Sequence, residues 1–270
     1  MRGAGINIAA TAIAVAILYW MVGLYDTALR DARFFDGWIL IAGLGAQLAL
    51  HVRKRFQAFP VGYASGWMTV HIYCGYFVVA AFILHTGFSL PDSQLEWALW
   101  VAFVVVAVTG VLGSYLTRTI PGKLDQDTAH MTFERIPALR YQLAGQVDAL
   151  ALDSVEKVGS LAISEFYVDQ LRGFFHKPRN LFAHLRGSRQ PLNRICSELD
   201  NLERYVDEPG KQTLNSIKDL VIAKDKLDFQ YAHQGLLQTW LFLHVPATYG
   251  LIVLAVLHVA VVYAYSSGAP

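Results

Sequence analysis

Two stretches decide how this chain is read: Trp67–Phe88, WMTVHIYCGYFVVAAFILHTGF, and Trp240–Tyr265, WLFLHVPATYGLIVLAVLHVAVVYAY. Each is long and apolar enough to cross a bilayer, for which a helix of about 20 residues suffices. Each carries two histidines fourteen positions apart, His71 and His85 in the first and His244 and His258 in the second. A helix rises about 1.5 Å per residue, so the two rings stand about 21 Å apart along the axis. Fourteen steps of about 100° bring the second ring to within about 40° of the first. In a left-handed bundle fourteen positions are two heptads, and the offset nearly closes. Both histidines of each helix therefore face one way, one towards each end of the span.

Imidazole is a usual axial ligand of haem iron, and bundle interiors are where such cofactors sit. Two helices of this kind side by side offer two His–His pairs stacked across the membrane. A lone intramembrane histidine reads more simply as a cavity-lining or hydrogen-bonding residue. Identical spacing at matching depths in two helices is what favours ligation here. The expectation is two haem b groups, the inner held by His71 and His244 and the outer by His85 and His258.

Composition narrows the alternatives. The 270 residues are 54% hydrophobic, and a formal net charge of +1 argues against a nucleic-acid partner, which would call for a strongly basic face. There are two cysteines, Cys74 in an apolar span and Cys196 in a polar region, an unpromising pair for a disulfide. No Cys-x-x-Cys-His occurs for covalent haem attachment, no cysteine cluster for iron–sulfur, and no G-x-G-x-x-G for a flavin or nicotinamide.

In chain order, residues 6–25 form an apolar run that reads as an uncleaved helix because no A-x-A-type site follows it. The connection Asp26–Asp36 mixes three acids with Arg30 and Arg33. A shorter span, 37–52, ends on His51 and Arg53-Lys54-Arg55; His51 reads as an interfacial histidine. The His71/His85 helix and a turn at Pro91-Asp92 lead to a fourth span, 95–117, whose Gly110 and Gly113 permit close helix contact. Lys and Arg gather after the second and fourth spans, and Ser89–Gln94 has neither. The positive-inside rule then puts those two connections in the cytoplasm, the N-terminus inside and the SSGAP tail outside. With five spans the third and fifth run parallel, which pairs His71 with His244 and His85 with His258. Gly75 and Gly250, near these histidines, are candidates for letting a haem plane approach the backbone.

Between residues 118 and 238 lie 16 of the 22 basic and 16 of the 21 acidic side chains, a balanced set that reads as a soluble helical domain. Ile136, Leu139, Leu143, Val147 and Leu150 follow helical spacing, as do Leu192, Ile195, Leu199, Leu202 and Val206. Asp207-Glu208-Pro209-Gly210 reads as a turn, after which Leu214, Ile217, Val221 and Leu227 begin a helix running towards the last span. His130, His176, His184 and His233 lack metal-ligand spacing and read as solvated or hydrogen-bonded.

The paired histidines at spacing fourteen resemble the haem helices of cytochrome b in the quinol-oxidising bc complexes. They are also similar to the transmembrane part of ferric reductases and NADPH oxidases, whose ligand helices are likewise the third and fifth. The resemblance covers His71, His85, His244 and His258 with nearby glycines, and leaves the 118–238 insertion unexplained. This chain has no flavin/NADPH module and no Pro-Glu-Trp-Tyr motif of the bc quinol site.

The expected architecture is an all-α membrane protein of five transmembrane helices forming a di-haem bundle. It divides into residues 1–117 (helices one to four), 118–238 (cytoplasmic helical domain) and 239–270 (helix five and a short outer tail). The expected role is electron transfer between a quinone pool and a partner redox subunit in a bacterial inner (cytoplasmic) membrane, with membrane lipid, quinone and that subunit as partners. Arg53, Arg55 and Arg118 are candidates for neutralising inner-haem propionates, and Arg30 and Arg33 for the outer. A self-contained reductase of ferric iron or oxygen, and a haem-free scaffold or sensor, remain open on these residues.

Overall fold

A computed structural model describes residues 2–27, 32–55, 63–120, 122, 132–158 and 161–266. Among the described residues the chain is helical, without strands. It divides into two compact units, one of Met1–Tyr115 with Trp240–Pro270 and one of Leu116–Thr239. Among the described residues four stretches are long and apolar enough to cross a membrane: Ala4–Tyr25, Ser65–Thr86, Gln94–Thr119 and one within the last helix, Glu208–Tyr265.

The first unit holds α1 (Arg2–Thr27), α2 (Ala32–Arg55), α3 (Ala64–Thr86), most of α4 (Gln94–Thr119) and the second half of α10 (Glu208–Ser266). α1, α2 and α3 pack on one another. α3 stops at Gly87, whose φ of 57° is the left-handed conformation that glycine adopts without penalty, and whose N–H bonds the carbonyls of Ile83 and Leu84. α4 opens on a reciprocal cap. The Ser93 hydroxyl accepts the Glu96 N–H at 3.2 Å, and the Glu96 carboxylate accepts the Asp92 N–H at 3.0 Å.

The core of this unit is a cluster of Val78, Phe103 and Leu251, with Leu40, Leu44 and Phe82 against it. Phe82 and Phe103 stack at 3.8 Å between ring centroids. Val78 sits tightly on α2: a Cβ on Gly43 would lie 2.6 Å from Val78 Cγ2. Large apolar side chains point outwards, among them Ile13 and Trp20 on α1, Val108 on α4 and Val253 on α10. An apolar outer surface over a small core suits a protein whose solvent is lipid.

α2 extends the reading of the sequence. The Asp26–Asp36 connection is helical from Ala32, and Asp36, expected in a linker, is 2% exposed within the helix. Arg30 lies outside the described residues, as do the side chains of His51, Arg53 and Arg55 and the tail beyond residue 266.

The second unit contains α5 (Ile136–Val158), α6 (Leu161–Phe166), a π-helical turn (Tyr167–Leu171), α7 (Arg172–His176), α8 (Leu181–Arg186), α9 (Gln190–Leu202) and the first half of α10. Its core joins Val147, Leu171, Phe175, Leu199, Ile217 and Val221, all near zero exposure. The Asp207–Gly210 segment, expected as a turn, is the start of α10: Asp207 Oδ1 accepts the Gly210 N–H at 3.1 Å, and its carbonyl accepts the Lys211 N–H. Proline is tolerated in a first turn because the N–H it lacks would have no helical partner there. His184 and His233 are buried, not solvated. His184 Nε2 lies 3.5 Å from Asp225, and His233 Nδ1 donates to the Phe229 carbonyl at 2.9 Å. His130 lies outside the described residues.

One charge pair dominates this unit. Lys224 and Asp228, both fully buried, form an ion pair one helical turn apart on α10. The ammonium also donates to the Lys177 carbonyl at 3.1 Å and lies 3.9 Å from the centroid of the Phe174 ring. Asp228 accepts the Arg179 N–H at 3.0 Å, which ties the α7–α8 connection to α10. Burial holds the Lys224 ammonium below its usual range, against the opposing pull of Asp228. Removing one partner of such a pair strands the other charge, whereas apolar replacement of both is far less costly. Asp228→Ala is therefore expected to destabilise this unit by about 3–5 kcal/mol. Lys224→Met with Asp228→Leu is expected to recover part of that loss, the Arg179 N–H remaining without its acceptor. Denaturant unfolding of the full chain in detergent measures both.

Candidate cofactor site

The four histidines of the apolar stretches all fall in the first unit, on α3 and on α10. His71 lies within electrostatic range of His244, and His85 within range of His258. α3 packs on α1 and α2 and shares a buried cluster with α4 and α10 through Val78, Phe103 and Leu251. Val78 and Leu251 each stand seven residues from the histidine on either side. This apolar layer separates the two histidine pairs.

A cavity of about 470 Å³ opens on the His85/His258 end. His85 and His258 both line it, with Phe82, Trp100, Phe103 and Leu99 among its apolar walls and Arg33, Asp92 and Glu96 among its polar groups. Ligand pockets run from about 300 to 1,000 Å³ and are mostly apolar with a few placed polar groups. Arg33, one of the arginines proposed from sequence, is found on this wall.

His85 and His244 are held by their Nδ1 atoms. His85 Nδ1 lies 2.7 Å from Asp36 Oδ1. A carboxylate is an acceptor, so Nδ1 carries the proton and Nε2 is left with its lone pair. His244 Nδ1 lies 2.8 Å from Thr109 Oγ1, whose hydroxyl donates to the Val105 carbonyl at 2.7 Å. With that proton committed to the backbone, Thr109 accepts from His244, and Nε2 is again the basic nitrogen. Histidines that bind metals commonly donate their other N–H in this way. Trp240 stacks on His244, 5.5 Å between centroids and 20° between planes, and its indole N–H donates to the Thr109 carbonyl at 2.7 Å.

The helix around His244 is locally adapted. Pro246 lacks the N–H that would bond the carbonyl of residue 242, and the Thr248 hydroxyl donates to the His244 carbonyl at 2.8 Å.

Two further glycines lie against the histidine rings. A Cβ on Gly75 would meet Gln47 Nε2 at 3.1 Å, and one on Gly250 would enter open space. A Cβ on Gly37 would lie 3.2 Å from His85 Cε1, and one on Gly110 3.6 Å from His244 Cε1. Arg118 is exposed in the last turn of α4, in the other unit. Asp36, Thr109 and Trp240 were not legible as site residues. Each belongs to a different helix turn from the histidine it serves or is separated from it by a long stretch of sequence, and neither periodicity nor spacing marks it.

These features fit a haem: two imidazoles lining one cavity, with Nε2 available at His85, aromatic walls, an arginine, and a cradle at Gly37 that a side chain would fill. Among the described residues no group of three or more His, Cys, Asp or Glu could hold a metal ion alone, and bis-imidazole ligation needs only two. No family model, curated protein or solved structure matches the chain.

Gly113 supports the Trp240 end. A Cβ there would fall 2.0 Å from Trp240 Cζ2, so the indole has to shift, and its contact with Thr109 with it. Overpacking of this kind costs about 1–3 kcal/mol. Gly113→Ala is expected to lower the melting temperature of the detergent-solubilised protein, whereas Gly110→Ala, at ordinary contact distance, is expected to leave it nearly unchanged.

Proposed function

We propose that this chain is a membrane electron-transfer protein holding two non-covalent b haems, one between His71 and His244 and one between His85 and His258. The observation that carries the reading is the cavity of about 470 Å³ lined by both His85 and His258, with His85 fixed through Nδ1 by a buried carboxylate. The four histidines would hold the haems, which would supply reversible one-electron exchange when bound.

The protein's own residues do the rest. Asp36 and Thr109 hold the tautomer and ring orientation of His85 and His244. Trp240 covers one face of His244, and the aromatic walls exclude water from the cavity at the other end. Arg33 is the candidate for pairing with the propionates of the outer haem, an arginine–carboxylate contact of the strong, charge-assisted kind. Arg53 and Arg55 are the candidates at the inner haem, and Gly37 and Gly110 join the glycines that would let the macrocycle approach.

In this reading α2 is the fifth crossing, because it packs against α1 and α3 and carries Asp36 to His85. Five crossings put the N-terminus inside a bacterial cytoplasmic membrane and the helical domain in the cytoplasm. The electron partners are a quinone pool and a further redox subunit. The apolar layer of Val78 and Leu251 between the two histidine pairs favours relay over chemistry at a single centre, which is why electron transfer is preferred here to self-contained reduction of iron or oxygen.

Two measurements test this. A pyridine haemochrome assay on the purified chain is expected to give two b haems per polypeptide, with low-spin spectra; a ratio near zero overturns the reading. His85→Ala and His258→Ala are each expected to remove one and the same haem, and His71→Ala and His244→Ala the other. Selective loss of one haem from both His71→Ala and His258→Ala would overturn the pairing.

A further inference from the structure

The two ends differ in the group that holds the histidine. At one end the acceptor is the Asp36 carboxylate, 2% exposed and 2.7 Å from His85 Nδ1. At the other it is the Thr109 hydroxyl, 2.8 Å from His244 Nδ1 and itself bonded to the backbone. A carboxylate draws the Nδ1 proton more strongly than a hydroxyl does and leaves Nε2 richer in electrons. A ligand so strengthened favours the more highly charged, oxidised iron. The carboxylate charge acts in the same direction, and its burial leaves it little screened by solvent.

Resting on the function proposed above, we infer that Asp36 is a positioning residue that makes the His85/His258 centre the lower in potential of the two. Gly37 belongs to the same device. A Cβ at this position, next to Asp36 in sequence, would lie 3.2 Å from the His85 ring, so glycine lets the ring sit against the carboxylate.

The test is a potentiometric titration of the purified full chain, followed at the haem absorption bands, for the wild type, Asp36→Asn, Asp36→Glu and Thr109→Val. Removing the charge while keeping an amide acceptor is expected to raise the lower midpoint alone, by about a tenfold change in the ratio of oxidised to reduced centre. That is about 59 mV for one electron. Asp36→Glu is expected to stay near the wild type, and Thr109→Val to move only the higher midpoint. An unchanged lower midpoint in Asp36→Asn, or a shift of the higher one, overturns the inference while leaving two haems in place. Absence of haem from the wild type overturns the preceding reading instead. If Asp36→Asn loses one haem, Asp36→Glu decides: retention of that haem at a low midpoint supports the carboxylate's role, and its loss in both variants overturns it.

Discussion

The packing of Val78 and Leu251 with Phe103 sets the register on which the rest of the membrane unit depends. Both aliphatic residues stand seven positions from a histidine on either side, so a single buried layer fixes the depth of all four rings. Sliding α10 by one turn would carry Leu251 away from Val78 and each histidine away from its partner. α3 is held to α2 by close contact at Gly43, where a side chain would strike Val78. The apolar layer thus couples helix packing to the placement of polar rings, which an apolar solvent would otherwise penalise.

Polar groups in hydrocarbon need partners, because an unpaired one costs several kcal/mol there. The chain provides them from neighbouring helices. Asp36 of α2 reaches His85 of α3, Thr109 of α4 reaches His244 of α10, and the Tyr76 hydroxyl of α3 lies 3.2 Å from Ser114 Oγ of α4. Thr109 accepts through its hydroxyl from the ring and through its carbonyl from Trp240. These bonds tie each histidine-bearing helix to a neighbour and fix ring orientation, so the contacts that satisfy the polar groups also prepare their Nε2 atoms.

The helical unit solves the opposite problem. Its core is an ordinary apolar one into which α10 brings a lysine and an aspartate. The pair is stabilising only as a set: the ammonium is held by Asp228, by the Lys177 carbonyl and by the face of Phe174. Tyr167 donates to Asp148 in the same unit, and burial together with that bond pushes the phenol above its usual range. Both arrangements join short helices whose own lengths would not sustain them in water.

The sequence by itself determined the long apolar helices, the helical insertion between them and the common face of each histidine pair, because hydropathy and a two-heptad period depend only on the order of residues. It also determined the core positions of α9, where Leu192, Ile195, Leu199 and Leu202 recur at three and four. It could not determine what holds each ring. Asp36 reads as one more acid in a charged connection, Thr109 as one more small residue of an apolar span, and Gly37 and Gly110 look no different from Gly75 and Gly250. Lys224 and Asp228 are buried only because the helices folded over them exclude water. Contacts across 49 residues at His85 and 135 at His244 exist only once helices are packed side by side. Such pairings are chosen by shape and by the cost of leaving a buried polar atom unmatched, and neither is written in any local stretch of the chain.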